Sequence, residues 1–439
     1  MRRLTAIILG FVVSGAGGAM EADIQEWQTA SGSEVLFVER HELPIVDIRL
    51  TFDAGSARDG GQPGLARMTS NLLLEGTAAR SAGEIAREFE RYGARVSTDS
   101  TRDTGSVSVR ALSEPARLDP VVDTLAAVIA NADFPAEAVD RVRRQMLLGL
   151  EQAEASASAL AEKAFARAIY GDHPYASPPG GTLASVEAID RAAIVDFHRR
   201  YYTAGNATIA IVGDLDRGRA EAIADRLSAA LPAGGPPAPL AEVVLAEAPR
   251  TVRVPFEAEQ THVIIGQPAV AQGSEAYYPL YLGNHILGGG GLTSILAERM
   301  REERGLSYSS SSRLTAGASR GRFQMATQVR NDALGEALEV MRGSFDELRD
   351  EGPPASRLDA SRRNITGSFP LQLDSNRDLL GYVSRIGFYD LPRDYLTRFV
   401  ERIDRLDAGA VEAALEQHLD PRRNVTVLVG PEAVINAVE

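Results

Sequence analysis

Two side chains in the second half of the chain have the types and spacing of a hydrogen-bonding pair. The pattern places Arg301 in the last turn of a helix that Gly305 ends, and Tyr308 at the start of the next strand. Both side chains can then reach one point. A guanidinium fork and a phenol are suitable donors to a peptide carbonyl or a developing oxyanion. A second interpretation leaves Arg301 as a solvated charge paired with a neighbouring glutamate, and Tyr308 as an ordinary strand aromatic.

The composition excludes several other kinds of site. The chain of 439 residues has no cysteine, which rules out disulfides, thiol nucleophiles and cysteine-ligated metals. Its net charge of −14 argues against a nucleic-acid binder, because no basic surplus exists to neutralise phosphates. The six histidines are scattered without helical i, i+3 or i, i+4 spacing, so we expect no metal site: His41, His173, His198, His262, His285 and His418.

The elements that must position these residues alternate between strands and helices. Apolar residues occupy every second position from Val46 to Phe52, which predicts a half-buried strand. Leu65, Met68 and Leu72 then lie on one helical face. Similar patterns predict a long helical stretch from about Val122 toward residue 168, a strand over 323–329 and a helix from about residue 333. We expect an α+β fold with helices packed on one face of a mostly antiparallel sheet.

The chain divides into two similar halves. Segment 231–239 reads Leu-Pro-Ala-Gly-Gly-Pro-Pro-Ala-Pro, a composition that disfavours both helices and sheet ladders. On either side of it, the Asn-Ala-Thr strand that starts at Asn206 recurs as the Asn-Val-Thr strand at Asn424. We therefore predict an N-terminal domain over 20–230, a linker over 231–249 and a C-terminal domain over 250–439.

Residues 1–19 have the pattern of a secretory signal peptide. Two arginines precede an apolar run of about ten residues and a zone of small residues, and the run is too short to span a bilayer. We expect cleavage after Ala19, no membrane span in the mature chain, and export to the periplasm.

The predicted helix at Leu65 matches the outline of a known motif but lacks the reactive residues of that motif. Residues 64–77 read GLARMTSNLLLEGT. They resemble the active helix of pitrilysin/insulinase-type zinc peptidases, G-L-A-H-x-x-E-H-x-L-x-x-G-T, in which two histidines bind zinc and a glutamate acts as base. Arg67, Ser70 and Asn71 stand at those three positions, and none is a suitable zinc ligand or carboxylate base. The family's further ligand, a glutamate, is matched at best by Glu151, slipped by one position. The resemblance thus implies a two-domain clamshell fold with no catalytic set and no metal in this chain.

The second half retains a different motif of the same family. The segment from Gly288 to Tyr308 resembles the family stretch S-x-L-x-x-x-[LM]-R-[ET]-x-x-G-L-x-Y, whose Arg and Tyr bind the substrate backbone; these are Arg301 and Tyr308. Such peptidases are often split over two bacterial chains, and this chain resembles the one without zinc. The resemblance implies a heterodimer in which a homologous partner supplies zinc and this chain binds the peptide substrate. A structural scaffold, or a peptide-binding protein without a catalytic partner, are the alternatives.

The glycine run from Gly288 to Gly291 has three interpretations. The four residues are Gly288, Gly289, Gly290 and Gly291. Backbone N–H groups before a helix can bind phosphate, but no G-x-x-x-x-G-K-[ST] pattern follows, so nucleotide binding is disfavoured. The family resemblance implies a flexible loop beside the cleft. A plain turn into a helix also stays open.

Overall fold

The computed structural model describes residues 23–438, so the predicted signal peptide lies outside the described residues. The strands of the first half are β1 (Gln25–Gln28), β2 (Glu34–Glu39), β3 (Ile45–Phe52), β4 (Gly76–Thr77), β5 (Arg80–Ser81), β6 (Arg95–Ser100), β7 (Gly105–Leu112) and β8 (Ala207–Gly213). Its helices are α1 (Leu65–Leu72), α2 (Ala82–Arg91), α3 (Pro115–Ala130), α4 (Ala136–Glu154), α5 (Ala157–Tyr170), α6 (Leu183–Ala188), α7 (Arg191–Tyr201) and α8 (Arg217–Ala230).

The second half repeats this plan. Its strands are β9 (Arg250–Pro255), β10 (Gln260–Pro268), β11 (Ser310–Thr315), β12 (Arg322–Arg330) and β13 (Val425–Gly430). Its helices are α9 (Tyr277–Asn284), α10 (Ile295–Ala297), α11 (Leu334–Glu351), α12 (Ala355–Ser368), α13 (Asn376–Phe388), α14 (Tyr395–Arg405), α15 (Ala408–His418) and α16 (Glu432–Ile435).

The two sheets share one topology. The first sheet has the order β1-β2-β8-β3-β7-β6, and the second has β9-β13-β10-β12-β11 when read in the same direction. In both, one parallel pair (β2 with β8, β9 with β13) joins an otherwise antiparallel ladder. The predicted α+β fold of two similar, mostly antiparallel domains is confirmed. By this correspondence α9, which follows β10, is the counterpart of α1, which follows β3.

Each sheet packs its own helices on one face. In β3 the side chains of Val46, Ile48, Leu50 and Phe52 are fully buried against the helices of the first half, as their alternation predicts. The stretch predicted as one long helical region from Val122 toward residue 168 is instead three helices, α3 to α5. Pro135 and the positive φ of Phe134 (50°) interrupt the path between α3 and α4, and the hydroxyl of Ser156 caps the start of α5.

The opposite face of each sheet receives a helix from the other half. Helix α13 packs on β8 and β3 of the first sheet, and α5 packs on β13 and β10 of the second. Leu36 and Val212 consequently belong to the apolar core of the second half. A Cβ on Gly387 would lie 2.4 Å from Leu36 Cδ1, so only glycine permits α13 to approach this closely. The two halves are thus interlocked by an exchange of helices.

Residues 231–249 connect the two sheets without a helix or strand. The segment is nevertheless held against the first half, because the amides of Ala204 and Gly205 donate to the carbonyls of Pro232 and Gly234. Over residues 23–438, no helix has the length and apolar character needed to cross a membrane.

Candidate functional site

Helix α1 is fixed at its N-terminus by a buried carboxylate. Asp59 accepts hydrogen bonds from the backbone N–H groups of Gly64 (2.9 Å) and Ala66 (2.8 Å), which caps the first turn. Burial raises the pKa of Asp59 to about 7, and the two backbone donors partly oppose that rise. The helix that carries the three motif positions is therefore well formed at its N-terminus.

The three positions of the lost motif do not form a metal site. Arg67 is half-buried, Ser70 is buried and Asn71 is exposed. The Nε of Arg67 and the hydroxyl of Ser70 have no hydrogen-bond partner within residues 23–438. A guanidinium has donors only, and neither a hydroxyl nor a carboxamide replaces a histidine or carboxylate on zinc. In the described part of the chain no cluster of three or more histidine, aspartate or glutamate residues could hold a metal ion. The residues present do not fit zinc.

Glu151 does not compensate for the missing ligands. It lies in the last turn of α4 and is exposed to solvent. Its neighbours Met146, Leu147 and Leu150 turn inward and pack on the core of the first half. One carboxylate on a helix whose facing positions carry no ligand cannot build a tetrahedral site.

The structure brings Arg301 and Tyr308 together. The Cζ of Arg301 lies 4.6 Å from the centre of the Tyr308 ring, a stacked cation–π arrangement. Arg301 is half-buried and Tyr308 is 82% exposed. The interpretation of Arg301 as one half of a surface ion pair with Glu302 or Glu303 is wrong, because among residues 23–438 Arg301 forms no ion pair and Glu303 pairs with Arg304 at 2.7 Å. The pair thus joins a half-buried guanidinium to a phenol ring that is largely exposed to solvent.

The backbone around this pair consists of a helical turn, a chain reversal and a second, hydrogen-bonded turn. Arg301 lies in a π-helical turn, Glu298–Glu302, and Gly305 reverses the chain with a φ of 61°, as predicted for the residue that ends the helix. Tyr308 does not open the next strand, because β11 starts at Ser310. The side chain of Ser307 bonds the carbonyl and amide of Ser309 and forms a local turn before the strand. The Tyr308 ring is therefore held on a short, hydrogen-bonded turn.

The glycine run is a packed turn rather than a loose loop. Residues His285–Gly289 form a π-helical turn and Gly291–Thr293 form a 3₁₀ turn. A Cβ on Gly288 would lie 2.3 Å from the amide nitrogen of Ser312, so the run packs directly on β11. Leu292, at its tip, is 63% exposed. The interpretation as a turn leading into the Arg301 segment fits this geometry, and no phosphate-binding lysine accompanies it.

The histidines make structural contacts. The imidazoles of His173 and His198 hydrogen-bond the carbonyls of Ala241 and Ile129, and burial lowers the pKa of both. His41 lies on the surface, hydrogen-bonded to two carboxylates that raise its pKa.

Sequence reasoning missed the contact that fastens the two halves beside α13. The buried carboxylate of Asp103 accepts hydrogen bonds from the hydroxyl of Tyr389 (2.9 Å), the amide of Ala318 (3.0 Å) and the hydroxyl of Tyr175. The Tyr175 oxygen in turn accepts from the amide of Ser319 at 3.0 Å. Burial, then the adjacent carboxylate, raises the pKa of both phenols, so they act as donors. We call Asp103, Tyr175 and Tyr389 the clasp.

Two protein families match this chain by sequence profile. The family described as insulinase (peptidase family M16) matches residues 34–182, which include α1. The family described as peptidase M16 inactive domain matches residues 188–365, which include Arg301 and Tyr308. Together the two matches cover most of both halves.

Individual relatives and solved structures agree with these families. An uncharacterized zinc protease of Mycobacterium tuberculosis is 26% identical over 382 residues, 85% of this chain and 86% of that protein. A Helicobacter pylori protein named a non-peptidase homolog is 23% identical over 397 residues, 88% of this chain and 89% of its own. The crystal structure of a peptidase M16 inactive domain from Pseudomonas fluorescens is 37% identical, with a TM-score of 0.90 over 93% of this chain and 98% of that one. A protease from Helicobacter pylori, 18% identical with a TM-score of 0.86, shares the fold over 93% of this chain and 100% of that one.

Proposed function

The chain belongs to the insulinase (M16) family of peptidases and lacks the family's catalytic motif, and on that premise we propose that it is the substrate-binding subunit of a heterodimeric zinc peptidase. In this proposal a homologous partner carries the zinc and the general base. This chain contributes Arg301 and Tyr308, which hold the peptide substrate beside the partner's metal.

The observation that carries the proposal is the exposed Arg301–Tyr308 pair on a chain whose own motif positions are Arg67, Ser70 and Asn71. An arginine and a tyrosine that only stabilised the fold would be expected to bond within it. Here the phenol is 82% exposed and the turn beneath it is fixed by Ser307. A rigid, outward-facing donor pair suits a ligand that comes from outside the chain.

The chemistry available to the pair is hydrogen bonding to the substrate. A guanidinium can donate two parallel bonds and a phenol one, which together orient a peptide carbonyl and stabilise negative charge that develops on its oxygen. Removing one such donor from an active site typically costs about 10²–10³-fold in rate. Strand β11 follows Tyr308 and is the last strand of its sheet, so its outer edge can also pair with an extended peptide.

We further propose that the mature chain works outside the cytoplasm, in the periplasm. The support is the basic, apolar and small-residue order of residues 1–19. The expected partner is then exported as well.

The proposal is tested by reconstitution. The purified chain is mixed with a homologue that carries H-x-x-E-H and is encoded near it, and cleavage of a quenched fluorescent peptide library is measured. Neither chain alone should cleave at the rate of the mixture. Arg301→Ala and Tyr308→Phe should lower the rate of the mixture without preventing assembly, which gel filtration reports.

Arg304→Ala is the matched control. Arg304 lies on the same turn but pairs with Glu303 and carries no proposed contact with substrate. If Arg301→Ala and Arg304→Ala have equal effects on the rate, the substrate-binding role of Arg301 is refuted.

A non-enzymatic role is the second candidate. It is favoured by the Helicobacter pylori relative that is named a non-peptidase homolog. In that case the chain would copurify in an assembly whose activity is unchanged by Arg301→Ala and Tyr308→Phe. Peptide affinity of the isolated chain without any catalytic partner would instead indicate a peptide-binding protein.

A further inference from the structure

The second half contains a pocket that the proposed function does not use. It has a volume of about 240 Å³ and lies between the helix that is the counterpart of α1 and the helices that follow. Tyr277, Tyr281 and His285 face it from consecutive turns of α9 and its π-helical extension. Asn364 comes from α12 and Arg385 from α13. The pocket thus lies beside α9, the helix that corresponds in the topology to α1.

The pocket has a cation and no acidic residue. Its polar lining consists of four tyrosines, an arginine, a histidine, a serine and two carboxamides, with no aspartate or glutamate among the described residues that line it. The Nε of Arg385 is buried and has no hydrogen-bond partner within residues 23–438. The Tyr277 ring lies 6.0 Å from its Cζ, and the Arg385 residue as a whole is half-buried. An arginine in such a site, with no carboxylate lining the pocket, favours an anion that completes its hydrogen bonds.

The other walls are flat and apolar. Phe369 and Phe399 stack with ring centres 4.9 Å apart, and Tyr281 meets Phe399 edge-on at 5.5 Å. The Tyr382 ring meets Phe369 edge-on at 5.6 Å, and its hydroxyl donates to Gln372 at 2.7 Å. Aromatic walls of this kind favour a planar ligand, which can stack or meet ring edges. A protein cavity of about 150 Å³ suffices for benzene, so this pocket of about 240 Å³ has room for a ring with small substituents.

The geometry points to a binding site for a small aromatic carboxylate, with its carboxylate on the Arg385 guanidinium and its ring against the wall formed by Tyr281, Phe369 and Phe399. The guanidinium fork supplies two parallel donors to the two carboxylate oxygens. The tyrosine hydroxyls and the Asn364 carboxamide can bond further polar substituents on the ring. This inference does not depend on the peptidase role, since the pocket is built from this chain alone.

The test uses the full chain and benzoate as the probe, with benzamide as its neutral, isosteric control. Isothermal titration should give a dissociation constant for benzoate on the order of 1 mM. Benzamide should bind at least tenfold more weakly. Arg385→Gln should weaken benzoate at least tenfold and leave benzamide unchanged. Arg402→Gln, which removes a nearby arginine that pairs with Glu275 outside the pocket, should not alter either. Equal affinities for the two probes, or benzoate binding that Arg385→Gln does not weaken, would overturn the inference.

A crystallographic readout keeps the inference testable if Arg385→Gln does not fold. Crystals of the wild-type chain soaked in 4-bromobenzoate should show the anomalous signal of bromine inside the pocket, with the carboxylate toward Arg385. Two results would contradict the assignment. One is that no bromine is found in the pocket at saturating ligand; the other is that the bromine lies beside Arg385 and the carboxylate lies away from it.

Discussion

Replacing Tyr389 with phenylalanine removes a hydrogen bond that holds the two halves of the chain together. The hydroxyl of Tyr389, the residue that directly follows α13, donates to Asp103 Oδ2 at 2.9 Å, and Asp103 belongs to the turn between β6 and β7 of the first half. The ring itself stays in place in Tyr389→Phe, so apolar packing is preserved. The variant therefore isolates one bond of the clasp.

The size of the effect follows from the charge and burial of the acceptor. Asp103 is only 6% exposed. A hydrogen bond to a charged group contributes about 1.5–3 kcal/mol to stability. Asp103 keeps two other donors, the Tyr175 hydroxyl and the Ala318 amide, so the loss stays at about 2 kcal/mol rather than the larger penalty of an unpaired charge. A change of about 2 kcal/mol shifts the equilibrium for separating the halves about 30-fold.

Hydrogen exchange measured by mass spectrometry reads this equilibrium locally. In Tyr389→Phe, amides of α13 and of the β11–β12 turn should exchange about 30-fold faster, since they become exposed when the halves separate. Tyr382→Phe is the matched control on the same helix. Its hydroxyl bonds only Gln372 in an exposed setting, and its exchange rates should stay within about twofold of the wild type.

A double-mutant cycle decides whether the clasp is the cause. Asp103→Asn places an amide donor where two phenols and a backbone amide already donate, so it should be more damaging than Tyr389→Phe alone. The two substitutions together should cost less than the sum of their separate effects, by about 0.5–3 kcal/mol. Additive effects, or unchanged hydrogen exchange of α13 in Tyr389→Phe, would show that the bond between Tyr389 and Asp103 does not hold the two halves together.

Three further predictions concern α13, α1 and the metal. Gly387→Ala would place its Cβ 2.4 Å from Leu36 Cδ1 and should lower the free energy of unfolding by about 1–3 kcal/mol. A Cβ on Gly381 of the same helix would have nothing within 4 Å, so Gly381→Ala should not lower it. Urea titration compares the two variants. Burial raises the pKa of Asp59 to about 7, above the unfolded value of about 3.9, so its contribution to stability is present below pH 4 and is lost as the pH rises through 7. The stability of the wild type relative to Asp59→Asn should therefore fall between about pH 4 and pH 7 and level off above pH 7, and a pH-independent difference would contradict this. The purified chain should hold far less than one zinc ion by elemental analysis, and stoichiometric zinc would contradict the reading of Arg67, Ser70 and Asn71.

Local patterns in the sequence predicted local structure well. Alternation from Val46 to Phe52 predicted β3, because a strand with one buried face must place every second side chain in the core. Gly305 predicted the end of the Arg301 turn, because its positive φ is accessible to glycine at low cost. The proximity of Arg301 and Tyr308 followed from the same turn.

The sequence could not reveal which surfaces meet over long distances. The four-residue spacing of Ala161, Phe165 and Ile169 predicts a buried face on α5, but not that the sheet of the other half covers it. Apolar periodicity specifies that a face is buried and carries no information about its partner. The same holds for the pocket, because the tyrosines of α9 and Arg385 line one cavity only after the fold brings α9 and α13 together.

If Arg301 acts on a substrate held at another chain's metal, the loss of Arg301 must lower catalysis and the loss of its neighbour Arg304 must not. In the assembled pair, kcat/KM for peptide cleavage is measured for Arg301→Ala and for Arg304→Ala. We expect Arg301→Ala to lower kcat/KM about 10²-fold or more, Arg304→Ala to stay near the wild type, and both variants to assemble normally. Wild-type kcat/KM in the Arg301→Ala complex would contradict this role of Arg301.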